Sequence, residues 1–138
     1  MKKQVTFLIL LFVLTTKIYA GVETYTVLSS DGNSQIQSAI TAALGRVNTD
    51  ITIQFANGTT YGNAYSISVP AGVNSLKFYA SPGTQPTIYW NGITFNDALM
   101  TNLTFDGLNL LATGTTKYVV AIETSGKYPK GVTIKNCD

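Results

Sequence analysis

The chain has 138 residues, of which 45% are hydrophobic and 12% charged, with a formal net charge of +2; this suits one domain or part of one and excludes a disordered chain. Three of the nine Lys and Arg residues (Lys2, Lys3, Lys17) lie in the first 20 positions, so the remainder sets six basic against seven acidic residues. That balance leaves no basic stripe for nucleic acid or an anionic membrane.

Met1-Lys2-Lys3, the apolar run "VTFLILLFVL" (Val5 to Leu14) and "TTKIYA" ending at Ala20 read in order as the basic start, core and cleavage end of a secretory signal. Ten apolar residues fall well short of the roughly 20 that cross a bilayer. The sequence therefore predicts residues 1–20 to be removed, with a secreted product that is extracellular, periplasmic or on the cell surface and keeps no membrane anchor.

Residues 21–50 hold a strand candidate, "TYTVL", the turn-former "SSDGN", and one helix. Ile36, Ala39, Ile40, Ala43, Leu44 and Val47 recur at helical spacing and make one apolar stripe. Ser34 with Gln37 three residues on is the pattern of a capping box, and Gly45 suits a left-handed stop.

From residue 51 to 138 the helical period gives way to a longer repeat. Ile51-Thr52-Ile53, Leu76-Lys77-Phe78, Leu103-Thr104-Phe105 and Val132-Thr133-Ile134 begin 25, 27 and 29 residues apart. Units of that size cannot bury their own apolar face and must stack on one another. Further strand candidates lie between them: "YSISV" (Tyr65 to Val69), "PTIYW" (Pro86 to Trp90) and "YVVAI" (Tyr118 to Ile122). Aligning the last two triplets sets Asn136 on Gly107 and Cys137 on Leu108; Gly and Asn are the residues that most readily accept positive φ, as a tight bend would require.

The apolar-capped opening, the "LKFYASPGTQPTI" rung and the "LTFDGLNL" and "VTIKNCD" rungs resemble the N-terminal part of right-handed parallel β-helix proteins of the pectate-lyase-like superfamily. The resemblance covers about residues 34–138 and implies an all-β solenoid capped by the N-terminal helix over the open end at Ile51. It further implies that more rungs follow the strand at Val132, which would otherwise be left unpaired. The function it implies is the binding or degradation of polysaccharide, by a lyase or glycoside hydrolase whose active face lies on downstream rungs. Ca²⁺ enters by resemblance alone, for the complete protein. A non-catalytic adhesin or structural solenoid is the alternative.

The residues themselves carry little chemistry. Histidine is absent, and Cys137 is the one cysteine, so neither a Ser-His device nor an internal disulfide can form in this sequence. The inward register of Cys137 makes it a core thiol. Asp97, Asp106, Glu123 and Asp138 are the carboxylates of the rung region, and the alignment stacks Asp106 on Lys135 as an exposed ion pair. "NCD" matches the Asn-x-Asp element of some β-helix glycosidases, although the bend explains Asn136 without it. Tyr79 and Tyr89 are the candidate carbohydrate contacts, because strand alternation turns them away from the core, whereas Trp90 shares its face with Ile88. Thr52, Lys77, Thr104 and Thr133 form an outward column. Asn57 and Asn102 begin Asn-x-Thr triplets, which matter only in a eukaryotic host.

Overall fold

The computed structural model describes residues 21–46, 49–56, 60–81, 83, 85–96, 100–113 and 127–138. They form eight strands and one helix: β1 (Val22–Val27), α1 (Asn33–Gly45), β2 (Asp50–Phe55), β3 (Thr60–Val69), β4 (Ser75–Ala80), β5 (Thr87–Phe95), β6 (Asn102–Asp106), β7 (Asn109–Ala112) and β8 (Gly131–Lys135). Strands β1, β2, β4, β6 and β8 make a five-stranded parallel sheet, and β3, β5 and β7 a three-stranded one. From β2 to β7 the chain alternates between the two sheets, adding one strand to each. The architecture is all-β with parallel sheets, and the two sheets do not close on one another. "YVVAI" lies outside the described residues.

The triplets fall in register. Ile51 pairs with Leu76, Leu76 with Leu103, and Leu103 with Val132, while Ile53, Phe78, Phe105 and Ile134 form the second inner column. The first three members of each column are at most 2% exposed, but Val132 and Ile134 at the end strand are 44% and 57% exposed. Each fully buried member contributes about 1.5 to 3 kcal/mol. Facing them, Trp90 on β5 meets Phe78 edge-on at 4.9 Å and Phe105 at 5.6 Å, and these two phenylalanines stack at 5.3 Å. Trp90 is thus core, as its strand face requires, and its Nε1 is buried without a hydrogen-bond partner among the described residues.

The lower end departs from expectation. β1 joins the five-stranded sheet as a further strand, with Glu23 paired to Ile51 and Tyr25 to Ile53. The helix therefore does not cover Ile51 alone; it packs chiefly on β3, burying Ile36, Ile40 and Ala43. Two of its side chains, one turn apart, occupy the open edge of that strand. Asn33 Oδ1 accepts from the Ser66 N–H at 3.0 Å, and Gln37 Oε1 from the Ser68 N–H at 3.1 Å. Gln37 is thereby spent on the sheet, which is why the Ser34 capping box does not form. The N-cap is Gly32, whose N–H donates to Gln35 Oε1 at 3.0 Å. Gly45 is not the left-handed stop either: the helix closes through Arg46 at φ −94°, whose N–H donates to Ala42 and Ala43 carbonyls.

At the upper end the alignment of bends holds, since Gly107 has φ +75° and Asn136 φ +53°. Cys137 is half-buried at the margin of the core rather than enclosed by it. The backbone after the bend is already paired: Asp138 donates to the Leu108 carbonyl at 3.2 Å and accepts from the Leu110 N–H at 2.9 Å, so β7 carries the start of a neighbour.

Candidate functional site

Parallel register makes every outward residue of the five-stranded sheet a member of a column. Thr52, Lys77, Thr104 and Thr133 form one, and Gln54, Tyr79, Asp106 and Lys135 the next. Lys77 and Tyr79 are two residues apart on β4 and so share a face. The Lys77 ammonium lies over the Tyr79 ring, 4.1 Å from its centroid, and reaches diagonally to Asp106 Oδ2 on β6 at 3.0 Å.

Asp106 is not the exposed carboxylate that its register with Lys135 suggested. The residue is 7% exposed, and Oδ2 is shared between Lys77 and Lys135, the latter at 3.4 Å. Oδ1 accepts from Asn136 Nδ2 at 2.9 Å. Burial pushes the carboxyl pKa up, but the hydrogen bond from Asn136 and the attraction of Lys77 and Lys135 outweigh it and hold the group below its ordinary value. Two strands and a bend thus converge on one anion.

Lys77, Asp106 and Asn136 line a groove of about 680 Å³ that runs from Lys77 and Tyr79 past Ser81 and Gly83 to Gln85, Gly107 and Asn136, with Lys135 at its border through Asp106. Gln85 Nε2 donates to the Asn136 carbonyl at 3.1 Å and ties the far wall to the bend after β8. Of the two aromatic candidates, Tyr79 lies in this groove, half-buried, with one ring face taken by Lys77. Tyr89 lies on the three-stranded sheet, half-buried and in register with Leu111. The two are on the outer faces of different sheets and do not form one site. Tyr61 and Tyr65 are fully buried, with hydroxyls donating to the Val27 and Asp31 carbonyls at 3.1 and 2.8 Å, so they are core. Asp97, Glu123, Tyr118 and Asn57 lie outside the described residues. Asn102 donates to Thr104 Oγ1 at 3.0 Å along the sheet.

The three-residue partnership of Lys77, Asp106 and Asn136 was the part missed from sequence. Its signal was present, because aligning "LKFY" with "LTFD" puts Asp106 directly beside Tyr79 and two positions past Lys77. Among the described residues no group of three or more His, Cys, Asp or Glu side chains comes together, so no Ca²⁺ seat can be drawn from them.

A second cavity of about 490 Å³ opens between α1 and β1, lined by Tyr25, Ser38, Ala39, Ala42 and Ile51 among others and bordered by the Arg46–Glu23 ion pair. Its charged residues, Glu23 and Arg46, are paired with each other, whereas the groove on the outer sheet face gathers two ammoniums, a carboxylate and an amide, and is the stronger candidate. No described helix is long and apolar enough to cross a membrane. Comparison with family models, curated proteins and solved structures returns no match.

Proposed function

We propose that the chain is a stretch of right-handed parallel β-helix, exported by its N-terminal signal, that holds a polysaccharide along the groove at Lys77, Tyr79, Asp106 and Asn136. The alternation of one strand to each sheet and the repeat spacing support the β-helix. What carries the functional reading is the groove itself, which joins the Tyr79 ring to the Lys77 ammonium on β4 and to the Gln85 and Asn136 amides outside the strands. Sugars offer hydroxyl groups to such donors and apolar C–H faces to such a ring.

The same geometry favours holding over cutting. A glycosidase needs two free carboxyl groups, one as acid and the other as base or nucleophile, and a lyase a base of suitable pKa. Asp106 is the acid of this groove, and its carboxylate is held ionised and engaged on both oxygens. The non-catalytic reading, a surface or adhesive module, is therefore the one these residues support, and lyase chemistry would require side chains beyond them.

The test is retention of the secreted protein on a broad panel of immobilised neutral and acidic polysaccharides, with Tyr79→Ala as the comparison. Retention by at least one polysaccharide that Tyr79→Ala weakens about tenfold is expected. Absence of retention across the panel, or equal retention of the variant, would remove the reading.

A further inference from the structure

We propose that Asp106 is the specificity-determining residue of this groove and tunes it to a glycan carrying isolated anionic groups on an otherwise neutral chain. The inference rests on the polysaccharide reading above and adds to it the charge class of the ligand.

Lys77 and Lys135 share one carboxylate oxygen, at 3.0 and 3.4 Å, which keeps their ammoniums within two hydrogen-bond lengths of each other. Two like charges stay that close because the carboxylate lies between them. Their exposures are unequal. The Lys77 and Lys135 side chains are 37% and 53% exposed, against 10% for Asp106. A ligand entering from solvent meets the ammoniums first, with the carboxylate behind them.

Each ammonium has three donors and places one on Asp106, so donors remain for a ligand oxygen. The cluster holds two positive charges and one negative, leaving a single positive charge; among the described residues Lys77 and Asp106 are the charged side chains lining the groove, and Lys135 adjoins it through Asp106. One oxyanion balances that charge. A second oxyanion close by would find no cation left and would face the field of Asp106. The rest of the groove, Tyr79, Gln85 and Asn136, offers a ring and amide groups suited to uncharged sugar. Carboxylate and sulfate share the chemistry the ammoniums recognise.

The experiment uses the secreted protein with dextran, lightly and densely carboxymethylated dextran, and lightly and densely sulfated dextran. Binding is measured at low and high salt, and the melting temperature of each variant is recorded. The wild type is expected to prefer a lightly substituted chain over neutral dextran by about threefold or more, with the preference lost at high salt. The carboxymethyl and sulfate arms show which oxyanion is accepted. Asp106→Asn doubles the net charge of the cluster and is expected to bind the densely substituted chains about tenfold tighter than wild type, reversing the preference. Lys135→Gln, on an exposed side chain of the end strand, makes the cluster neutral and is expected to abolish the preference even if Asp106→Asn fails to fold. Equal binding of neutral and charged chains by the wild type, or variants that change all affinities in parallel, would overturn the role of Asp106 while leaving the polysaccharide reading in place. Binding to none of these chains, together with failure on the broad panel, would remove both.

Discussion

Asn136 stands one strand beyond Gly107 at the same bend, and both residues take positive φ, +53° and +75°. The Gly107 N–H donates to the Lys135 carbonyl at 3.2 Å, so each bend is laid on the last. Only the first of the two is crowded: a Cβ at position 107 would lie 2.9 Å from the Ala80 carbonyl oxygen. Gly107→Ala should therefore destabilise by about 1 to 3 kcal/mol, from strained φ and the clash. Asn136→Gly keeps the backbone and should cost no more than about 1.5 kcal/mol through its lost hydrogen bond. Urea unfolding of both variants checks the difference.

Acid should weaken the sheet through Asp106. Its pKa in the fold is depressed below the ordinary value of 3.8, so its contribution is fully present above that value and is lost as pH falls through the folded pKa. Unfolding followed from pH 6 to pH 2 is expected to show a smaller loss below about pH 4 for Asp106→Asn than for wild type. Parallel curves would show that the carboxylate is not coupled to folding.

Trp90 illustrates a buried polar atom beside large apolar gain. Trp90→Ala opens a cavity beside the stacked Phe78 and Phe105 and should cost about 3 to 5 kcal/mol. Trp90→Phe removes area and the unpartnered Nε1–H together, and should cost less than about 1.5 kcal/mol. A thermal melt that ranks the two substitutions alike would show that the indole N–H has a partner.

The helix is expected to protect the edge of β3 by its side chains. Gln37→Ala frees the Ser68 N–H and should cost about 1 kcal/mol, with faster hydrogen exchange at Ser68 and little change on β4. Unchanged exchange at Ser68 would mean the edge is satisfied in another way.

The two aromatic candidates should separate. Tyr79→Ala is expected to weaken glycan retention about tenfold, whereas Tyr89→Ala, on the other sheet, should leave it within about twofold. Equal losses would place the ligand across both faces.

The inner columns were legible in the sequence because Ile51, Leu76, Leu103 and Val132 obey a simple rule, apolar at every inward place. β1 was legible as a strand but not as a member of the sheet. Of its inward residues Glu23, Tyr25 and Val27, the first two break the apolar pattern, and Glu23 pairs with Arg46, 23 residues away. The helix was legible from its stripe, whereas its start was not, since the cap is a glycine and Gln35, three residues after the cap, accepts from the cap's N–H. Tyr79 could be placed on an outer face by alternation alone. The burial of Asp106 could not, because it depends on Lys77 reaching diagonally to the neighbouring strand and on the Asn136 side chain folding back over the bend.

Whether a polysaccharide lies along the groove can be read from the backbone amide shifts of the isotope-labelled protein titrated with a polysaccharide it retains. The largest shifts are expected at Tyr79, Asp106, Gly107 and Asn136, with β3 and α1 unmoved. Shifts centred on Tyr89 and Leu111, or on the cavity between α1 and β1, would contradict that placement.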